Sequence, residues 1–403
     1  MNFRLVTGNN GRCQARPPSR WDIMKIAFVY DRVNKIGGAE RVLVALHEIW
    51  PDAPLYTAVY NPETALWAKD FKIIPSFLQK FPFAKTHHEL YPWLTPLAFE
   101  TFDFTGFDIV ISITSAEAKG IITKPGTLHI CYCLTPTRYL WNGYQDYHVP
   151  MIVRSMMTKL RIWDQIASQR PDYYFAISET VKQRIWKYYR RKSEVIFPPV
   201  DTTKFVIRNP KSERYSSFSR PTSNFYLVVS RLVSYKQIDL AIEAFNKLDW
   251  PLKIVGVGRE MNKLRAMAKP NIEFLGQLTD KELLGYYKKC QAVIFPQEED
   301  FGLVPLEAQA CGKPVIAYRG GGALETIIEG KTGIFFKEQT AESLLEALGE
   351  MGKTSLQDKG EKGFRPEDCR KQAEKFSQEI FKKKFKQKIE EEWKKYKTNI
   401  STS

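Results

Sequence analysis

Glu298, Glu299 and Asp300 stand together directly in front of Phe301-Gly302, and a helical pattern carrying Glu307 follows, all within PQEEDFGLVPLEAQACGKPVIAYRGGGALET. The apolar run Ala292–Phe295 ahead of them reads as a buried strand. Gly312 and Pro314 close the helix, and residues 314–317 (PVIA) make the next strand. Strand, loop and helix N-terminus in that order form an anion site, because the first amides of a helix have no partner within it. Carboxylates beside such a site have a use if they bind hydroxyls while the backbone takes phosphates. A ligand that presents both is a sugar nucleotide.

Two further turns carry matching chemistry. Met24–Tyr30 reads as a buried strand, and Gly37-Gly38 opens the helix after it, where small residues let backbone amides approach a phosphate. This is not GxGxxG, which argues against a nicotinamide cofactor. Phe225–Ser230 is another strand, and Arg231 and Lys236 follow it. In isolation such a pair is two solvated charges; at the carboxyl end of a parallel sheet it points into a cleft where a diphosphate needs neutralising.

The elements that position these turns alternate between strand and helix in both halves of the chain, which predicts an α/β protein with two parallel sheets covered on both faces. At 403 residues there is room for two domains. Residues 1–23 are polar, basic and without apolar periodicity, and read as a disordered extension rather than a secretory signal. The expected division is a first Rossmann-like domain over 24–203, a linker over 204–224, a second over 225–375, and a tail helix over 376–403. Residues 54–107 are irregular and aromatic; most of the rings read as core, while those interleaved with Lys80, Lys85 and His87-His88 can also line an acceptor groove or meet lipid headgroups. The tail sets Phe376, Ile380, Phe381, Phe385, Ile389 and Trp393 on one stripe opposite a run of lysines. Its first half is expected to cross back onto the first domain, leaving the lysines free for phosphates or lipid.

The net charge of +15 suits an anionic partner. No nucleic-acid-binding pattern accompanies it, so an anionic membrane surface is the favoured partner and nucleic acid is not. No apolar run is long enough to span a membrane. The cysteines form no CxxC pair and read as buried, reduced thiols, and neither the histidines nor any DxD pattern suggests a metal site.

The spacing of Glu299 and Glu307, set in EDFGLVPLEAQACGKPVIA and GGALE, resembles the E-x7-E signature of retaining glycosyltransferases of family 4. The resemblance implies a GT-B fold, two Rossmann-like domains facing across a cleft. ITSAEAKGIITKPGTLHICYCLTPTRYLW resembles the first domain of bacterial GDP-mannose-dependent mannosyltransferases of surface polysaccharide synthesis. In that family the roles would fall as follows. Glu299 orients the donor sugar with the amides of Phe301 and Gly302; Glu307 holds the ribose. Arg231, Lys236, Gly38, less directly Gly37, and the amides of Leu303 and Val304 receive the diphosphate. Leu275 and Gly276 read the base. Many members carry a histidine at Leu134 to touch the sugar; this chain does not, and Arg138 is the nearest polar candidate for either substrate. His129 lies within a strand and reads as a core residue, and Asp300 receives no role.

These expectations amount to a hexosyltransferase moving mannose from GDP-mannose to a glycan or polyprenyl-linked acceptor, with no cofactor and no metal requirement, on the cytoplasmic face of the cell membrane. The competing readings are a nucleotide-sugar epimerase or phosphorylase of the same architecture and, from another class, a non-catalytic basic protein binding lipid or nucleic acid.

Overall fold

The computed structural model describes residues 24–35, 37–143, 151–204, 225–356 and 364–401. The expected extension over 1–23 and nearly all of the expected linker lie outside the described residues.

The chain begins with β1 (Ile26–Tyr30), whose five residues are all buried, and α1 (Gly38–Ile49), which turns Val42, Leu43, Ala45 and Leu46 inward. Short strands β2 (Leu55–Thr57) and β3 (Ile73–Pro75) follow, then α2 (Thr95–Glu100), β4 (Ile109–Thr114), β5 (Leu128–Cys133), α3 (Met151–Ala167), β6 (Tyr173–Ala176), α4 (Glu179–Tyr189) and β7 (Glu194–Val195). These seven strands form one sheet in the order β3-β2-β1-β4-β5-β6-β7, every pairing parallel. Two of them fall in the stretch read as irregular. β2 and β3 are three residues each, too short to show a period, and the rings around them form a core: Tyr56 packs against Phe102, Phe104 and Phe107 with centroids 4.9–6.2 Å apart.

The second sheet uses β8 (Tyr226–Val229), α5 (Ile238–Leu248), β9 (Leu252–Val255), α6 (Met261–Met267), β10 (Ile272–Gly276), α7 (Asp280–Lys289), β11 (Val293–Phe295), α8 (Leu303–Ala310), β12 (Val315–Tyr318), α9 (Ala323–Thr326), β13 (Gly333–Phe336) and α10 (Ala341–Leu356). Its order is β10-β9-β8-β11-β12-β13, again parallel throughout. Both sheets therefore reverse strand order at one place, between β1 and β4 and between β8 and β11. In open α/β sheets ligands bind outside the carboxyl ends of the strands at that switch point.

The tail is two helices, α11 (Pro366–Glu374) and α12 (Gln378–Ser401). α12 lays Phe381, Phe385, Ile389 and Trp393 into the core of the first sheet, beside Tyr132 and Phe175. These residues recur every four positions and so share one helix face; Ile380, expected on the same stripe, is exposed. The lysines expected to be free are partly engaged: Lys382 with Glu48, Lys384 with the Val195 carbonyl (2.9 Å) and Lys388 with Glu194 (2.7 Å). No helix of the described residues is long and apolar enough to cross a membrane. Cys131, Cys133, Cys290, Cys311 and Cys369 are buried free thiols, and burial pushes the last three up to about 12.

Candidate functional site

On the second-domain side, the loops after β8 and β11 meet at the switch point. Lys236 is 7% exposed, in a helical turn over residues 234–236, and its Nζ donates to Glu299 Oε1. Gln297 Nε2 donates to the same oxygen (3.2 Å). Arg231 is exposed and donates from Nη2 to the Tyr235 hydroxyl (2.6 Å); among the described residues no carboxylate pairs with it. A buried lysine held on a carboxylate and an arginine with spare charge beside it make a site short of one anion.

Glycine fixes the acidic loop from behind. Gly322 N donates to the Glu299 carbonyl (2.8 Å), and a Cβ at position 322 would stand 2.2 Å from Phe301 Cα. The GGALE run thus lets two backbones touch behind the acidic loop. Phe301 turns inward, stacked on Phe197 with centroids 5.6 Å apart and tilted against Phe376, an aromatic junction between the domains. Gly302, with φ +90°, leads into α8. Leu303 reaches the first-domain core, whereas Val304 packs on the second.

The first-domain side comes close to it at several points. A Cβ on Gly38 would lie 2.8 Å from Leu303 Cδ1, so a larger residue there would make the Leu303 side chain shift; Gly37 meets only Glu40. Arg41, one turn into α1, donates to Glu307 Oε1, and Tyr287 donates to Oε2 (3.0 Å). Burial opposes the charge on Arg41, but Glu307 beside it holds the guanidinium above its ordinary value. Both oxygens expected to hold a ribose are therefore engaged, and a ribose would take its place by displacing Arg41. Arg138 donates to Asp300 Oδ2 and lies over the Tyr235 ring, 5.5 Å from its centroid. Arg184, on α4, donates to Asp300 Oδ1 and approaches Glu298 (3.3 Å). Ser178 Oγ donates to the Asp300 carbonyl. Glu325 accepts from the amides of Glu179 (2.9 Å) and Thr180, closing the N-terminus of α4 from the other domain.

The structure thus brings Glu299, Lys236 and Arg231 together, and Gly38 against Leu303. Leu275 and Gly276 end the edge strand β10, where the Gly276 carbonyl already accepts from Gly256 N (2.7 Å). Leu134 packs partly buried on the first core. His129 is fully buried with Nε2 2.9 Å from Ser112 Oγ, as a core residue, although its Nδ1 has no hydrogen-bond partner. Sequence reasoning missed Arg41, Arg184 and Glu325, whose partners lie 266, 116 and 146 residues away. It also missed a first-domain rim in which Arg32 donates to Glu117 (2.7 Å) and Lys35 is lowered by burial and by Arg231 across the cleft.

Comparison with known proteins places the second half. Residues 211–375 match the family model described as Glycosyl transferases group 1. The chain is 32% identical over 176 residues to a GDP-mannose-dependent alpha-(1-6)-phosphatidylinositol monomannoside mannosyltransferase of Mycolicibacterium smegmatis, covering 38% of this chain and 45% of that protein. It is 29% identical over 193 residues to the D-rhamnosyltransferase WbpZ of Pseudomonas aeruginosa, covering 45% and 49%. The alignments span about half the length of these curated relatives. Over the whole fold, HepE of Anabaena in complex with UDP-glucose superposes with a TM-score of 0.68 at 17% identity, covering 91% of this chain and all of that one. The architecture is GT-B.

Proposed function

We propose that this GT-B protein is a retaining glycosyltransferase of family 4 that moves a hexose, mannose from GDP-mannose, onto a glycan or lipid-linked glycan acceptor in cell-surface polysaccharide synthesis. One observation carries the reading: Arg231, which no carboxylate among the described residues pairs with, stands beside the Lys236–Glu299 pair at the switch point of the second sheet. Departure of a nucleoside diphosphate builds negative charge on its terminal phosphate, and fixed cations stabilise that charge as it forms. The same cations make a divalent metal unnecessary. Glu299, held by Lys236 and Gln297, orients the sugar hydroxyls. The acceptor hydroxyl attacks from the face the diphosphate leaves, its proton passing to the departing phosphate oxygen, so configuration is kept without a covalent sugar on Glu299. Two relatives whose names specify a hexose donor chemistry, a mannosyl- and a rhamnosyltransferase, favour a hexose.

The acceptor side is the stretch over 77–97. Phe83 is 72% exposed, Trp93 56% and Leu90 52%, with Lys80 and Lys85 exposed among them. Aromatic rings beside lysines suit an anionic lipid interface, so the protein sits peripherally on the cytoplasmic face of the membrane, where a polyprenyl-linked acceptor is presented.

Thermal shift against GDP, UDP and ADP tests the donor, since a ligand at a hundred times its Kd stabilises by about 2.7 kcal/mol. GDP should stabilise most, and with GDP-α-mannose in excess EDTA the product's anomeric proton should report an α-linkage. Indifference to every nucleoside diphosphate, or a β-linked product, would contradict the reading.

A further inference from the structure

Asp300 lies between the residue expected to orient the sugar and the start of α8, and it faces away from both, toward the first domain. Its two carboxylate oxygens are divided between two guanidinium groups from separate elements: Arg138, in the loop after β5, and Arg184, on α4. Its backbone carbonyl accepts from Ser178, the N-cap of α4. The side chains of Asp300 and Arg184 are 15% and 17% exposed, and that of Arg138 30%, so the group is shielded without being sealed.

Each end of the cluster leads to the cleft. On one side Asp300 is bonded in the chain to Glu299, whose carbonyl is pinned by Gly322 N. On the other, Arg138 covers the Tyr235 ring, and the Tyr235 hydroxyl holds Arg231. The path Glu299, Asp300, Arg138, Tyr235, Arg231 therefore starts and ends on second-domain groups of the candidate site and passes through the first domain between them. Each end also has partners on its own domain, Lys236 and Gln297 for Glu299 and Tyr235 for Arg231, and the first domain is what joins the two ends.

We propose that Asp300 is a positioning residue: with Arg138 and Arg184 it forms a latch between the domains that sets Glu299 and Arg231 for transfer when the cleft is closed. The proposal rests on the transfer reading above. Without the carboxylate, Arg138 loses its salt-bridge partner and Arg184 keeps only Glu298 (3.3 Å) across the seam, so the attraction that draws the two domains together here is weakened and the seam loosens. Arg231 keeps the Tyr235 hydroxyl, on its own domain, when the latch is lost, so the nucleotide's contacts, expected mostly on the second domain, survive. Loss of the latch is therefore felt in the transition state more than in binding.

Three readouts test this. Asp300→Asn, nearly isosteric, should keep the melting temperature and the GDP affinity within threefold, while kcat falls on the order of 10²-fold. Asp300→Glu should recover part of the lost rate. Arg184→Gln should also slow turnover, and the Asp300→Asn/Arg184→Gln double variant should be little slower than Asp300→Asn alone, because residues in one network do not add. The third is independent of activity. Spin labels at Lys69→Cys and Lys331→Cys, exposed on the two domains, in a Cys13→Ser background, should show a longer and broader distance distribution with Asp300→Asn than without. A folded Asp300→Asn enzyme with near-native kcat and an unchanged distance overturns the proposal, as does a GDP affinity that falls in step with kcat. A wild type that turns over no nucleotide sugar sinks the transfer reading and the catalytic half of this one, whereas the distance measurement still decides whether the latch exists.

Discussion

The two walls of the cleft meet through opposite charges. The first-domain wall supplies cations on long side chains: Arg41 from α1, Arg138 from a loop, Arg184 from α4. The second-domain wall supplies the carboxylates that meet them, Glu307 and Asp300, and adds Glu325 at the N-terminus of α4. Lys236 and Arg231 are the exceptions, cations on the acidic wall, and they are the groups assigned to the donor's phosphates. The difference teaches that charge here has two separate uses. Cross-domain pairs neutralise each other and join the walls; the pair on one wall is the one proposed to keep a surplus for a ligand.

Breaking the ligand-facing charge should have the largest effect. Lys236→Ala and Arg231→Ala should each lower kcat/KM by about 10² or more, as loss of one transition-state charge donor does, measured with GDP-mannose and acceptor. Crowding the contact between the walls comes next. Gly38→Ala places a methyl group against Leu303 Cδ1 and should reduce kcat by roughly tenfold, since a displacement of about 1 Å is enough to cost more. Leu303→Ala in the same protein should restore most of it; an unrescued double variant would show that the glycine matters for some reason other than closure.

The smallest expected effect separates the walls from the core. His129 is fully buried and lowered from 6.5 to about 3, by burial first and then by Arg170 and Arg191. Between those values the unfolded chain holds a proton that the folded chain does not, so this group makes stability fall as pH drops below 6.5. The loss is about 1.4 kcal/mol for each pH unit. His129→Gln should flatten the decline in unfolding free energy between pH 6.5 and 5.5 by about 1 kcal/mol, because the unfolded imidazole is only half protonated at 6.5. An unchanged slope would move the acid sensitivity elsewhere, to the seam among other places.

How much of this was legible in the sequence differs by wall. The second domain could be read because its strands are short apolar runs between turns and its site residues fall within a few positions of strand ends. The Arg231–Lys236 turn and the Glu299 loop lie at the switch point of the sheet for that reason. The first domain hid β2 and β3, three residues each, inside a run of aromatics whose packing follows no period. The phase of α12 was legible in Phe381, Phe385, Ile389 and Trp393, but Ile380 was not separable from them, since an apolar residue on a helix flank looks like one on its face. Arg41, Arg184 and Glu325 were not legible at all, and Asp300 was legible only as one of three acidic neighbours without a role. A charge whose partner lies more than a hundred residues away looks, in sequence, like any solvated charge, and only the approach of the two walls distinguishes them.

The central claim is that Arg231 and Lys236 hold a surplus of charge for a nucleoside diphosphate, and calorimetric titration of GDP into the protein tests it without an acceptor. The wild type should bind, and the Arg231→Ala/Lys236→Ala double variant, folded by circular dichroism, should lose affinity by about 10²-fold or more, each lost charge-assisted contact being worth about 1.5–3 kcal/mol. A double variant that binds GDP as tightly as the wild type would contradict the account.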